Sequence, residues 1–173
     1  MDKLITISFN AENILSKHRQ VWKYWYHKNK SSYLIHSALA VFILLGGIHM
    51  DDSAPFPTGT LIGAVYCLFV SFTWLIFFQR KKKYFKTVKN YTNRSQQNKL
   101  DYNYTFSDFG ITYEDDEKSQ KVAWSLLKSV VDFNEVLLIT NKDTKEVQFS
   151  ISKKEIGDLE YANLYQLLKQ RLA

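Results

Sequence analysis

The chain has a single cysteine, Cys67, and that residue lies inside a long apolar run. No disulfide framework and no cysteine-based metal site can be built from it. Its only two prolines, Pro55 and Pro57, fall in one short segment, where they fit a tight turn and the start of a helix. No GxxxxGK[ST], GxSxG or HExxH pattern occurs, so the common phosphate-binding, serine-hydrolase and zinc-protease signatures are absent. The first 30 residues lack a signal-peptide apolar region and cleavage site, so the later apolar segments are expected to stay in the mature protein.

Charge is unevenly placed over the 173 residues, with a net of +6. Residues 1–50 carry six Lys/Arg against two acids, residues 80–94 carry seven and no acid, and residues 95–173 hold ten against thirteen. A basic chain can point to nucleic acid. Here the basic residues sit beside apolar spans, which points to membrane topology and away from nucleic acid.

Two spans stand out. Tyr33 to His49 covers about 25 Å as a helix, extendable through Ser31 and Ser32, against a hydrocarbon core of about 30 Å. Thr58 to Phe78 covers about 31 Å without a charge and ends in Arg80-Lys81-Lys82-Lys83. Two buried helices of a soluble protein are the alternative reading. Twelve Lys/Arg flank the spans on their outer ends, while Met50 to Pro57 has none and holds Asp51 and Asp52. Basic flanks stay inside, so a multi-pass protein of the inner (plasma) membrane with both termini cytoplasmic is expected. Gly59, Gly63, Cys67 and Ser71 recur every four residues, a ridge that lets helices approach closely. The first span, through Ser37, Ala40 and Gly47, is the expected partner, and a homo-oligomer through the second span is the alternative.

Residues 4–9 alternate like a strand, Asn10 is placed to cap a helix with Glu12 in its first turn, and the pattern is helical from Ala11 to about Lys30. This segment is basic and aromatic. It suits either the membrane surface or packing on the C-terminal domain. On the first reading Lys17, Arg19, Trp22, Lys23 and Trp25 join Arg80, Lys81, Lys82, Lys83, Lys86 and Lys89 in a collar on anionic lipid, each basic residue adding about 1 kcal/mol. The expected organisation is a strand and interfacial helix over 1–30, a transmembrane hairpin over 31–79 (helices about 31–49 and 58–78), a basic helical linker over 80–98, and a soluble domain over 99–173.

In that last part the periodicity changes. Tyr102, Tyr104 and Phe106 alternate, and Phe109 to Tyr113 follows a Ser107-Asp108 turn. The acidic run 114–117 reads as a hairpin loop. Strands are expected at Gln120 to Ser125, Lys128 to Phe133, Glu135 to Thr140 and Glu146 to Ile151. Alternation puts Val122, Trp124 and Leu126 on one face, with Trp124 in the core. From Lys153 the period turns helical, with a stripe of Tyr161, Leu164, Leu168 and Leu172 beside Ile156 and Leu167. The fold class is an α+β membrane protein: a two-helix hairpin, then about six antiparallel strands and one closing helix, the order of a pleckstrin-homology-like barrel.

Tyr104-Thr105-Phe106-Ser107-Asp108-Phe109-Gly110-Ile111, Ala123-Trp124-Ser125-Leu126-Leu127-Lys128-Ser129-Val130 and Val136-Leu137-Leu138-Ile139 together resemble the YcxB-like bacterial membrane family. The resemblance implies a paired transmembrane hairpin before a domain of this pattern. The chain departs from it at Ser152, where members often carry proline. The family brings no established activity and no catalytic residues.

The histidines offer little chemistry. His18 and His27 lie in the basic segment. His36, about one turn inside the first span, has Ser37 and Tyr66 as bonding partners in reach. His49 beside Asp51 and Asp52 lacks a fourth ligand for a metal. The acidic run lacks the ligand spacing of a calcium loop. Ser125 has no nearby histidine, and Asp132 and Glu135 are split by a turn. No catalytic residue, cofactor or metal is therefore expected. The reading is a non-enzymatic, membrane-anchored binding or scaffold module whose partner is a protein or inner-leaflet lipid. A membrane-bound immunity protein that neutralises a membrane-acting toxin is the alternative. A channel subunit is disfavoured by two uncharged spans without conduction-type residues.

Overall fold

The computed structural model describes residues 3–51, 57–98, 101–115 and 118–172. They form two compact units, one of residues 1–24 with 88–173 and one of residues 25–87. The first unit thus draws together the N-terminal segment, the end of the basic stretch and the C-terminal segment.

Strand β1 (Lys3–Ile7) opens the first unit with Ile5 and Ile7 buried and Leu4 and Thr6 exposed in alternation with them. The chain then enters helix α1 (Ala11–Asp51). Asn10 caps it: its Oδ1 accepts from the backbone N–H groups of Glu12 and Asn13, each at 3.0 Å. The expected basic helix and the expected first span are one continuous element of 41 residues. Helix α2 (Thr58–Asn98) begins directly after Pro57 and continues through the basic stretch, as the sequence implies. The acidic connecting segment, with Asp52, Ser53 and Pro55, lies outside the described residues, as do Asp116 and Glu117.

The chain returns as β2 (Tyr102–Phe106), β3 (Gly110–Glu114) and β4 (Ser119–Ala123). Strand β1 pairs antiparallel with β2, Lys3 opposite Phe106 and Ile7 opposite Tyr102, which completes a four-stranded sheet in the order β1-β2-β3-β4. A second sheet holds β5 (Leu127–Asp132), β6 (Val136–Asn141) and β7 (Val147–Ser152) in sequence order. Helices α3 (Lys153–Ile156) and α4 (Asp158–Arg171) follow. The six expected strands are present, and the N-terminal strand is the seventh.

The two sheets share a core. The Tyr104 ring meets the Phe149 ring edge-on at 6.1 Å, and Ile111, Leu137, Leu138, Ile139 and Ile151 have no exposed surface. Strand β6 is buried at five consecutive positions, Val136 to Thr140, so both its faces are covered. That is why its sequence is a continuous apolar run. Helix α4 buries Tyr161, Leu164 and Leu168 of the stripe read from the sequence, while Leu172, its fourth member, falls at the C-cap and is half-buried. Gly110 is required where β3 meets β4, since a Cβ there would strike the Val122 carbonyl oxygen. Gly157 separates α3 from α4 at φ +82 and ψ 167, a conformation essentially restricted to glycine.

The strand expected to run through Trp124 ends at Ala123, and Trp124–Leu126 form a 3-10 turn. Alternation therefore breaks there. Leu126 is 46% exposed, and Trp124 is half-buried, not a full core residue. Its Nε1–H must find an acceptor and donates to the Ser107 carbonyl at 2.9 Å, which keeps the indole at the rim.

In the second unit α1 and α2 pack through small residues. A Cβ on Gly47 would overlap the Gly59 backbone, and one on Gly63 would reach Leu44 Cα at 2.5 Å. The Cys67 Sγ–H points at the Ala40 carbonyl, 3.6 Å away, and Trp74 Nε1–H donates to Ser37 Oγ at 3.0 Å. The ridge thus meets α1 of the same chain at Gly59, Gly63 and Cys67. Ser71 departs from it: it is exposed, and its hydroxyl donates to the Cys67 carbonyl of its own helix.

Candidate functional site

The first unit carries its strongest electrostatic feature where α1, β2 and α3 meet. Ser152 caps α3 by accepting from the Lys154 N–H at 3.3 Å, and Glu155 Oε2 reaches back to the Ser152 N–H at 2.7 Å. This capping box satisfies two helix-end donors and holds the Glu155 carboxylate in place. Its other oxygen accepts from Tyr102 Oη at 2.6 Å and pairs with Lys17 Nζ at 2.8 Å. Lys17 Nζ also donates to Tyr102 Oη at 3.2 Å and lies 5.1 Å from the centroid of that ring. The Lys17 and Glu155 side chains are 6% and 2% exposed. Burial and the adjacent carboxylate push the Tyr102 hydroxyl far above its ordinary range, so it stays a neutral donor.

Lys17 is accordingly a correction. The sequence places it in the lipid-facing collar, whereas here it is an interior cation neutralised by Glu155. His18, its neighbour, is also largely enclosed. Burial first, then the Lys17 charge, lowers its pKa from 6.5 to about 4, with Glu155 opposing and Lys118 adding slightly.

A groove of about 370 Å³ lies beside this network, between Gln20 of α1, the β5–β6 turn and the start of α3. Asn134 and Glu135 form the turn with φ of 50 and 63, and Phe133 and Val136 exchange backbone hydrogen bonds across it. Asn134 Nδ2 donates to Gln20 Oε1 at 3.1 Å. With Lys154 the walls offer amides, hydroxyls, one carboxylate and one ammonium, which can bind a polar group but form no nucleophile–base pair.

The remaining expected residues divide between the units. Arg19, Lys23 and Lys89 are exposed in the first, with Trp22 half-buried. Arg80, Lys81, Lys82, Lys83 and Lys86 are exposed in the second, where Trp25 is half-buried and stacks on Phe77 at 5.9 Å. His36 Nδ1 lies 2.8 Å from Tyr66 Oη, one of the partners read from the sequence. Among the described residues no group of three or more His, Cys, Asp or Glu is arranged to hold a metal.

Glu155 and Tyr102 were not singled out from the sequence, though a signal existed for each. Ser152-x-x-Glu155 is a capping-box spacing, and Lys17 follows Ile14 by three residues on the helix face that is buried. No protein-family model matches the chain, and no curated protein or solved structure matches it.

Two outcomes follow. Lys17→Met leaves a buried carboxylate unpaired and should destabilise the first unit by about 3–5 kcal/mol, as should Glu155→Gln through the lost pair, while the double variant Lys17→Met/Glu155→Leu should cost clearly less than their sum. Denaturant unfolding of the full chain in detergent checks this cycle, and strict additivity would refute the coupling. The second outcome concerns pH. His18 is neutral when folded, so its contribution is fully present above the unfolded pKa of about 6.5 and is lost as pH falls toward about 4, by up to about 3 kcal/mol. His18→Gln should flatten that part of the stability profile, and an unchanged acid limb would refute it.

Proposed function

We propose that the chain is a non-enzymatic module anchored in the inner (plasma) membrane by α1 and α2, with both termini cytoplasmic, whose first unit engages a protein partner or inner-leaflet lipid. One observation carries the reading. Along the apolar stretches of α1 and α2 most large apolar side chains face outward, with Phe42 76%, Leu68 70%, Ile62 64% and Ile35 63% exposed, while glycine and other small residues meet the partner helix, joined there by Val70 and Phe77 in the interior. A water-soluble helix pair reverses that distribution. Both helices are long and apolar enough to cross a bilayer, with mean hydropathy of 1.8 and 2.2 in their most apolar stretches.

Orientation rests on the twelve flanking basic residues and on the lack of Lys and Arg between the spans. Four strands, then three strands, then a C-terminal helix support a pleckstrin-like unit, in keeping with the resemblance to the YcxB-like family. Its groove and exposed basic residues fit binding better than catalysis.

The test is topological. In a Cys67→Ser background, Ser53→Cys should react with an impermeant maleimide in intact cells, and Ser119→Cys only after permeabilisation. Labelling of position 119 in intact cells would overturn the orientation.

A further inference from the structure

We propose that the cleft between α1 and α2 in the second unit is a binding site for one anionic phospholipid of the cytoplasmic leaflet. The inference rests on the membrane reading above and adds a defined site to it. The cleft encloses about 410 Å³, within the range of about 300–1,000 Å³ of small-molecule sites. Asn29, Ser32 and His36 of α1 line one wall, and Phe69, Ile76 and Arg80 of α2 are on the other. Spacings of three and four on α1, and of seven and four on α2, put each set on a single helix face.

The walls are graded along the helix axis. Along α2 the lining runs from apolar Phe69 and Val70, through Thr73 and Ile76, to Arg80, with Asn29 and Ser32 of α1 toward the Arg80 end. From Phe69 to Arg80 the helix rises about 17 Å, roughly half of a hydrocarbon core of about 30 Å. The cleft therefore spans one leaflet, with Arg80, Asn29 and Ser32 at headgroup depth and Phe69, Val70 and Ile76 along the acyl region.

Charge selects the headgroup. Residues 25–49 and 58–87 contain no Asp or Glu, while Lys28, Lys30, Arg80, Lys81, Lys82, Lys83 and Lys86 lie toward the same end of the pair. Arg80 makes no hydrogen bond or ion pair with any described residue, and its guanidinium can meet a phosphate through two parallel N–H donors. His36 lines the end of the cleft away from Arg80, where its Nδ1 lies 2.8 Å from Tyr66 Oη. A phosphate at Arg80 and an acyl chain along Ile76 and Phe69 use the whole gradient.

The experiment uses the full chain in mild detergent, titrated with phosphatidylglycerol or phosphatidylcholine and read by native mass spectrometry. Phosphatidylglycerol should be retained in preference, at one molecule per chain. Arg80→Gln should weaken it about fivefold, Arg80→Lys should keep most of the affinity, and Lys142→Gln, exposed in the β6–β7 turn of the first unit, should change it by less than about twofold. A photoreactive phenylalanine analogue at Phe69 should cross-link to the acyl chain of the retained lipid. Equal losses for Arg80→Gln and Lys142→Gln, or no preference over phosphatidylcholine, would overturn the site. Carbonate extraction of the same membranes separates the two proposals. Retention of the chain together with either of those results removes the site alone, and release of the chain removes the membrane reading and the site with it.

Discussion

The pairing of Lys17 with Glu155 is the constraint on which the first unit turns. It joins a helix near the start of the chain to one near its end, with Tyr102 from the central part bonded to the same carboxylate oxygen. Two such ions cost several kcal/mol each to bury, and only full hydrogen bonding offsets that. Here the carboxylate has three donors, one of them a backbone N–H fixed by the capping box. A slip of α1 against β2 would leave a buried charge unmatched, so the network favours one register of the N-terminal segment over its neighbours.

That register matters because of the order of the elements. The chain completes β1, runs through both long helices, and only then forms β2, the strand beside β1. The helical hairpin is thus an insertion between adjacent strands of one sheet. Closure of so long a connection is costly for an unstructured loop, but the cost rises only logarithmically with length. Pairing of α1 with α2 through Gly47, Gly59 and Gly63 brings the insertion back toward its starting point. The first unit is then built from segments on both sides of the hairpin.

Much of this was legible in the sequence. The strands, the closing helix and its buried stripe follow from periods of two and 3.6, and the two apolar runs announce long helices. What was hidden depended on tertiary contact. Nothing local tells strand 3–7 which edge it will join. Lys17 looks like one of several basic residues until the carboxylate opposite it is known. Trp124 followed the alternation of its strand, yet the strand ends in a turn at that residue, and the indole N–H finds its acceptor across the sheet at the Ser107 carbonyl. The small-residue ridge was readable for three of its four positions. Ser71 falls away: it is exposed, and its hydroxyl bonds its own helix.

Amide hydrogen exchange on the full chain in detergent tests most directly whether the N-terminal strand belongs to this sheet. If it does, the β1 amides that face β2 are lost only through the same opening as those of β2 and β3, and their protection falls in parallel with theirs as denaturant is added. Rapid exchange of residues 3–7, as at a frayed terminus, while β2 and β3 stay protected, would contradict it.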